Sequence, residues 1–238
     1  GIGPEIALRA FASGLGNIVL MGNIAHLTSL AQKCGLDIKF SPYDSNAPDG
    51  VCPVVEMDWA VDIIPGTPDS RNAPAIIEAI SRAVALTKEN VFSAVVTNPI
   101  AKSVLYETGF TYPGHTEFLA ALDSDNATPV MMLANDHLKI VPLTIHIPLC
   151  EVADHISDET ITKTLTIIDE DLKYRFGLRQ PRIAVAGLNP HAGENGHIGS
   201  FEHDRLAPLL IALQDKGFAI TGPHSADSLF SEAAAEPY

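Results

Sequence analysis

Short apolar runs alternate along this chain with longer segments of helical periodicity, and this alternation is the feature that most restricts the fold. Residues 182–186 form a run typical of a buried strand, residues 73–89 have the spacing of a long amphipathic helix, and residues 159–176 predict a second long helix. Strands that alternate with helices favour sheets covered by helices. We therefore expect an α/β fold, in which ligands bind at the carboxyl ends of the strands.

Further apolar runs extend the pattern. Residues 92–96 predict another buried strand, and residues 129–133 and 138–143 predict two strands joined by a hairpin turn at residues 134–137. A doubly wound sheet would bring the polar loops that follow its strands to one side. With 238 residues, 46% of them hydrophobic, the chain is long enough for one large domain or for two lobes that share a cleft.

Charge and cysteine content argue against several classes of protein. The formal charge of −14 argues against a nucleic-acid partner, because a protein that binds nucleic acid requires a basic face. A local positive pocket that binds a small anion is still compatible with this net charge. Cys34, Cys52 and Cys150 are odd in number and widely spaced, which does not suit a disulfide framework. No apolar run reaches the length of a membrane span. The composition predicts a cytoplasmic protein that binds neither membranes nor nucleic acid.

The loop at residues 187–199 follows the predicted strand 182–186 and has the composition of a ligand site. Its glycines allow the backbone to approach a ligand closely, and His191, His197 and Glu194 offer nitrogen and oxygen ligands to a divalent metal. A polar, glycine-rich turn with solvated histidines explains the same residues equally well. His146 is flanked by apolar residues, which on local grounds is more typical of a core histidine than of a ligand.

Two predicted helix starts are candidates for anion binding. Pro99 is expected to begin one helix, with Lys102 one turn in, and His115 and Thr116 lie at the start of the next. The simpler interpretation makes Thr116 a helix cap, Glu117 a partner of the helix dipole and Lys102 a solvated lysine.

Brought together at one side of a sheet, His146 and His191 would meet a helix N-terminus and Lys102, an arrangement that suits a metal ion beside an anion such as phosphate. The chain contains no Walker G-K-[ST], H-E-x-x-H or G-x-S-x-G motif. P-loop, zincin and serine-hydrolase functions are therefore excluded.

Six sequence blocks occur in a fixed order: G-I-G-P-E, T-N-P-I-A-K, P-G-H-T-E-F-L-A, P-V-M-M-L-A, T-I-H-I-P-L and G-L-N-P-H-A-G-E. Over the whole chain this order resembles the 4-hydroxythreonine-4-phosphate dehydrogenase family of vitamin B6 biosynthesis. The resemblance implies a two-lobed α/β/α fold of the isocitrate/isopropylmalate dehydrogenase-like type. Residues 1–128 would form the first lobe, and residues 129–238 a second lobe that carries the metal-ligand loops and dimer contacts.

The resemblance also implies the site. His146 and His191 would be metal ligands, and His115 and Thr116 would bind the substrate at or near its phosphate. The expected cofactors are NAD or NADP and a divalent metal (Zn, Mg or Co), and the active site would be shared in a homodimer. Neither the catalytic base nor the nicotinamide site is assigned to a residue.

Two departures from the family pattern concern the ends. Family chains begin with a strand and a G-D-P-x segment ahead of G-I-G-P-E, and they continue past the position of Tyr238 into a strand with Y-H-D-Q, whose histidine is the third metal ligand. The first lobe would be completed by that later segment. We therefore expect a fragment, incomplete at both ends and without the whole active site. The family's T-T-H is T-I-H here, which leaves His146 in place.

The implied reaction oxidises 4-phosphooxy-L-threonine to 2-amino-3-oxo-4-phosphooxybutanoate, which loses CO2 to give 3-amino-2-oxopropyl phosphate. Two alternative functions would use the same metal-binding and phosphate-binding residues. One is a related dehydrogenase of a phosphorylated sugar acid, erythronate or threonate 4-phosphate. The other is a metal- and phosphate-binding module without redox activity.

Overall fold

Two units make up the computed structural model, Gly1–Pro129 and Val130–Tyr238, and each combines strands with helices. The structure describes residues 1–44, 48–235 and 238. The predicted α/β class is confirmed. The assignment to the isocitrate/isopropylmalate dehydrogenase-like type and the lobes at 1–128 and 129–238 stay predictions.

The first unit is built on a parallel sheet of three strands in the order β1-β3-β2. Its strands are β1 Leu20–Gly22, β2 Lys39–Pro42 and β3 Val51–Glu56, and its helices are α1 Gly3–Ala12, α2 Ile24–Lys33, α3 Ala73–Lys88, α4 Lys102–Tyr106 and α5 His115–Asp123. Side chains of α1, α2 and β3 form one core, in which Leu8, Cys52 and Val54 are fully buried. Burial raises the pKa of the Cys52 thiol to about 11, so this cysteine is an inert core residue.

A second core of the first unit fixes the start of α5. Ala73, Leu105, Phe110 and Phe118 bring α3, α4 and α5 together, and the rings of Phe110 and Phe118 meet edge to face with centroids 5.1 Å apart. Because Phe118 is anchored one turn into α5, His115 at its first position is held in a defined place.

The second unit contains a short antiparallel hairpin and a parallel strand pair. Its elements are β4 Leu133–Ala134, β5 Lys139–Ile140, α6 Val152–His155, α7 Asp158–Tyr174, β6 Ile183–Ala186, α8 Ala207–Gln214, β7 Ile220–His224, α9 Ala226–Leu229 and α10 Glu232–Ala235. A π-helical turn at Glu202–Leu206 leads directly into α8. Its core joins α7, α8 and β7 through Ile161, Leu165, Leu210 and Ile220.

Several predicted elements are present and others are not. The helices predicted at 73–89 and 159–176 are confirmed within two residues, and the strand predicted at 182–186 is β6. The hairpin predicted at 129–143 is confirmed in shorter form. The strand predicted at 92–96 was wrong, because no described strand pairs with it and Val96 is 92% exposed. The described strands form three separate sheets and not one doubly wound sheet.

None of the described helices has both the length and the hydropathy needed to cross a membrane.

Leu210 provides a test of the second core. It is 1% exposed on α8, whereas its neighbour Ile211 is 57% exposed. We expect Leu210→Ala to lower the free energy of unfolding by about 2–5 kcal/mol, since it removes buried methyl groups and leaves a cavity. Ile211→Ala should change it by about 0.5 kcal/mol or less. Urea unfolding of both variants measures the difference, and similar losses in the two would contradict this description of the core.

Candidate functional site

The loop at residues 187–199 leaves the carboxyl end of β6 and returns at the π-helical turn Glu202–Leu206. Its start is tied to the parallel partner strand, because the Gly187 N–H donates to the His224 carbonyl at 2.8 Å. Within it, Ala192, Gly193, Glu194 and Asn195 all have positive φ. Such backbone is strained for residues other than glycine and recurs at functional sites.

His191 is held between two carboxylates at the exposed side of this loop. Its Nδ1 lies 2.8 Å from Oε1 of Glu194, and its Nε2 lies 3.3 Å from Oδ2 of Asp227. Asp227 lies at the start of α9, and its backbone N–H donates to the Pro190 carbonyl at 3.3 Å. The hydrogen bond to Glu194, and then the charge of Asp227, raise the pKa of His191 above its ordinary value.

This pKa can be measured directly. In protein without added metal, NMR titration should place the pKa of His191 above 6.5, and Glu194→Gln should move it back towards 6.5 because the largest cause is removed. Protons and metal ions compete for the same ring nitrogen, so metal affinity should decline as the pH falls through this raised pKa. In Glu194→Gln the decline should begin at lower pH. An unchanged titration in that variant would contradict the assigned hydrogen bond.

The arrangement suits a metal ligand. Histidines that bind metals commonly donate Nδ1–H to a carboxylate, which fixes the ring and leaves Nε2 for the ion. Glu194 provides this partner, and Nε2 faces a second carboxylate, where a cation is stabilised in place of a proton. The chemistry of the donors therefore fits a divalent metal at His191.

The other predicted metal ligands lie at exposed positions. His146 is exposed, with φ of 59°, so it is not the core histidine that its apolar neighbours suggest. His197 is exposed as well. In the part of the chain that the structure describes, no group of three or more His, Cys, Asp or Glu side chains is arranged to hold a metal ion. The pairing of His146 with His191 at one metal therefore stays a prediction.

In the first unit, two expectations about the helix starts are corrected, one at α5 and one at α4. Gly114 occupies the N-cap position and no side chain caps the helix, so Thr116 is not its cap. Lys102 is the first residue of α4, not a residue one turn in, because α4 begins later than Pro99. The N–H groups at the start of α5 have no side-chain acceptor in the described structure, which leaves them available to an anion.

His115 and Lys102 give this helix start its electrostatic character. Burial, and then the charge of Lys102, lower the pKa of His115, which is therefore neutral at pH 7. Its Nε2 is buried and has no hydrogen-bond partner among the described residues. A side chain at Gly114 would lie 3.5 Å from both Nζ of Lys102 and Oε2 of Glu117, so the absence of a Cβ keeps this space open. A buried ring nitrogen without a partner, close to an ammonium group, is suited to a small anion when that nitrogen carries the proton.

Comparison with known proteins identifies the family. The family model of the pyridoxal phosphate biosynthetic protein PdxA matches residues 15–238. The chain belongs to the PdxA family. The family resemblance of the six blocks is thereby confirmed.

Curated PdxA relatives cover this chain completely. The 4-hydroxythreonine-4-phosphate dehydrogenase of Methylorubrum extorquens is 43% identical, over 100% of this chain and 72% of its own length. That of Bradyrhizobium diazoefficiens is 41% identical, over 100% of this chain and 74% of its own. A crystal structure of 4-hydroxythreonine-4-phosphate dehydrogenase from Klebsiella pneumoniae matches with a TM-score of 0.89 at 31% identity, covering 99% of this chain and 73% of that one.

Two residues that hold the loop at residues 187–199 were missed by sequence reasoning: Asp227, which faces His191, and Glu202, whose Oε1 accepts a hydrogen bond from the Asn189 N–H. Asp227 follows β7 just as the His191 loop follows β6, but this signal is usable only once β6 and β7 are known to pair, which the sequence does not show. Glu202 carries no such signal, because a glutamate early in an apolar helix is ordinarily solvated.

Proposed function

We propose that this protein oxidises 4-hydroxythreonine 4-phosphate (4-phosphooxy-L-threonine) in pyridoxal phosphate biosynthesis. The observation that carries the proposal is 43% identity, along the whole chain, to a 4-hydroxythreonine-4-phosphate dehydrogenase. The oxidised product, 2-amino-3-oxo-4-phosphooxybutanoate, is a β-keto acid and loses CO2 readily to give 3-amino-2-oxopropyl phosphate.

His146 and His191 are proposed to hold the divalent metal, Zn, Mg or Co. When bound there, such an ion polarises the substrate hydroxyl and lowers its pKa. The contribution of the chain is to orient the His191 ring and to present its Nε2 to the ion. Glu194 does this by accepting a hydrogen bond from Nδ1, so that Nε2 faces the ligand side.

His115 and Thr116 are proposed to bind the phosphate end of the substrate, with Lys102 beside them. A neutral His115 donates from Nε2 to a phosphate oxygen, and the ammonium of Lys102 offsets the charge. This arrangement keeps an anion bound on a protein whose formal charge is −14.

A dehydrogenase of this family uses a nicotinamide cofactor as hydride acceptor. We propose NAD or NADP in this role, and a homodimer in which both protomers contribute to the active site. Two histidines are fewer protein ligands than a catalytic zinc usually has, which supports a further ligand from outside the described residues.

A paired kinetic assay tests the proposal. The protein is supplied with 4-hydroxythreonine 4-phosphate, erythronate 4-phosphate or threonate 4-phosphate, each with NAD and with NADP, in the presence of zinc or magnesium. We expect kcat/KM to be at least about 100-fold higher for the threonine derivative, because the relatives are named for that substrate and a site built for one polar group rejects analogues without it. A preference for a sugar acid would identify the related dehydrogenase. Binding of metal and phosphate without reduction of either nucleotide would identify a non-redox module.

A further inference from the structure

Glu202 is the most deeply buried ionisable side chain of the described second unit, at 1% exposure. It lies at the start of the π-helical turn Glu202–Leu206, immediately after the loop that carries His191. A carboxylate is seldom buried so fully unless donors compensate for the lost water.

All described hydrogen bonds of the Glu202 carboxylate come from one residue of that loop. Oε1 accepts from the backbone N–H of Asn189 at 2.7 Å, and the Asn189 side-chain amide lies 3.3 Å from Oε1 and 3.2 Å from Oε2. Asn189 precedes His191 by two residues, and its carbonyl accepts from the Ala192 N–H at 2.9 Å. Glu202 thus fixes the residue on which the turn around His191 is built.

Two glycines of the same loop also lie close to the Glu202 carboxylate. A Cβ at Gly193 would lie 2.9 Å from Oε2 of Glu202, and a Cβ at Gly187 would lie 3.1 Å from Oε1. Gly193 has φ of 74° and is buried, and Glu194, which orients the His191 ring, follows it. The loop is therefore folded around Glu202, with glycine at two positions where a Cβ would crowd its carboxylate.

We propose that Glu202 is a positioning residue for His191. No hydrogen bond or ion pair joins it to His191 among the described residues, and it acts through Asn189 and Gly193, which flank His191 in the chain. The left-handed backbone of residues 192–195 is unfavourable without support, and the charge-assisted bonds to Asn189 supply that support. The role rests on the proposed function, in which His191 holds the metal.

Glu202→Gln tests the role, with Asp169→Asn as the matched control. The glutamine keeps the size of the side chain but turns one acceptor into a donor facing the Asn189 amide. Asp169 is also buried in the second unit, at 8% exposure, and pairs with Lys173 in α7, away from the loop. Both variants neutralise a buried carboxylate, so both are expected to lower thermal stability.

Only Glu202→Gln should affect the metal site. We expect its zinc affinity, measured by chelator competition, to fall about tenfold, the lower end of the range for losing a residue that orients a metal ligand, because Glu202 acts through Asn189. kcat should fall in parallel, whereas the zinc affinity of Asp169→Asn should stay within about twofold of wild type. Equal zinc affinity in wild type and Glu202→Gln would overturn the proposal, as would equal losses in the two variants.

Two further measurements keep the test decisive. If Glu202→Gln does not fold, Asn189→Ala removes the side-chain donor from the same pair and should lower zinc affinity in the same direction, and no loss there overturns the role. If the wild-type protein binds none of zinc, magnesium and cobalt, or reduces neither nucleotide, the proposed function fails. The positioning role is then decided by hydrogen exchange at the Asn189 amide, which should quicken about tenfold or more in Glu202→Gln and not in Asp169→Asn. Unchanged exchange would overturn it.

Discussion

His191→Ala and His146→Ala are each expected to lower kcat/KM by at least about a thousandfold, because a catalytic metal contributes several kcal/mol to the stabilisation of the transition state. Zinc content after dialysis should fall in parallel with activity. Since both side chains are exposed, neither replacement leaves a cavity, and the circular dichroism spectrum and melting temperature should stay close to those of wild type.

His155→Ala is the matched control for these two variants. His155 is also an exposed histidine of the second unit, and its Nδ1 bonds only to the Glu151 carbonyl, at 2.8 Å. We expect unchanged zinc content and turnover in this variant. Retained zinc and turnover in His146→Ala would remove that residue from the metal site, and the same result in His191→Ala would contradict the role given to the loop at residues 187–199.

Local signals in the sequence were sufficient for the long helices and for the main loop. The helix predicted at 159–176 begins at Asp158 because the Ser157 hydroxyl accepts from the Thr160 N–H, a contact within one turn. The polar loop after β6 was recognised because a buried apolar run precedes it. In both cases the determining interactions lie close together in the chain.

Features that depend on distant residues could not be predicted. Residues 92–96 have the composition of a buried strand, but a strand requires a partner, and a hydrophobic run does not specify one. His146 lies among apolar residues in sequence and is nevertheless exposed. The carboxylate that faces His191 comes from α9, 36 positions further along the chain, and only the pairing of β6 with β7 brings the two together.

Thr116→Val is expected to raise the KM for 4-hydroxythreonine 4-phosphate by about 10–150-fold, the cost of one hydrogen bond to a charged group. The KM for the nicotinamide nucleotide should change little. The reason lies in the start of α5, where Gly114 occupies the N-cap and the Thr116 hydroxyl is not used for capping. Lys102→Met should raise the same KM, and it should also raise the pKa of His115, since the nearby ammonium charge lowers it.

Thr87→Val supplies the matched control for this prediction. Thr87 also lies in a helix of the first unit, and its hydroxyl donates to the Ala83 carbonyl at 2.8 Å, so the same loss of a hydroxyl occurs within α3 instead of at the helix start. We expect both KM values to be unchanged in this variant. If Thr116→Val also leaves the substrate KM unchanged while its melting temperature falls, Thr116 supports the helix start and contributes nothing to substrate binding. A raised substrate KM, with the nucleotide KM and the melting temperature unchanged, is the result expected if Thr116 contacts the substrate.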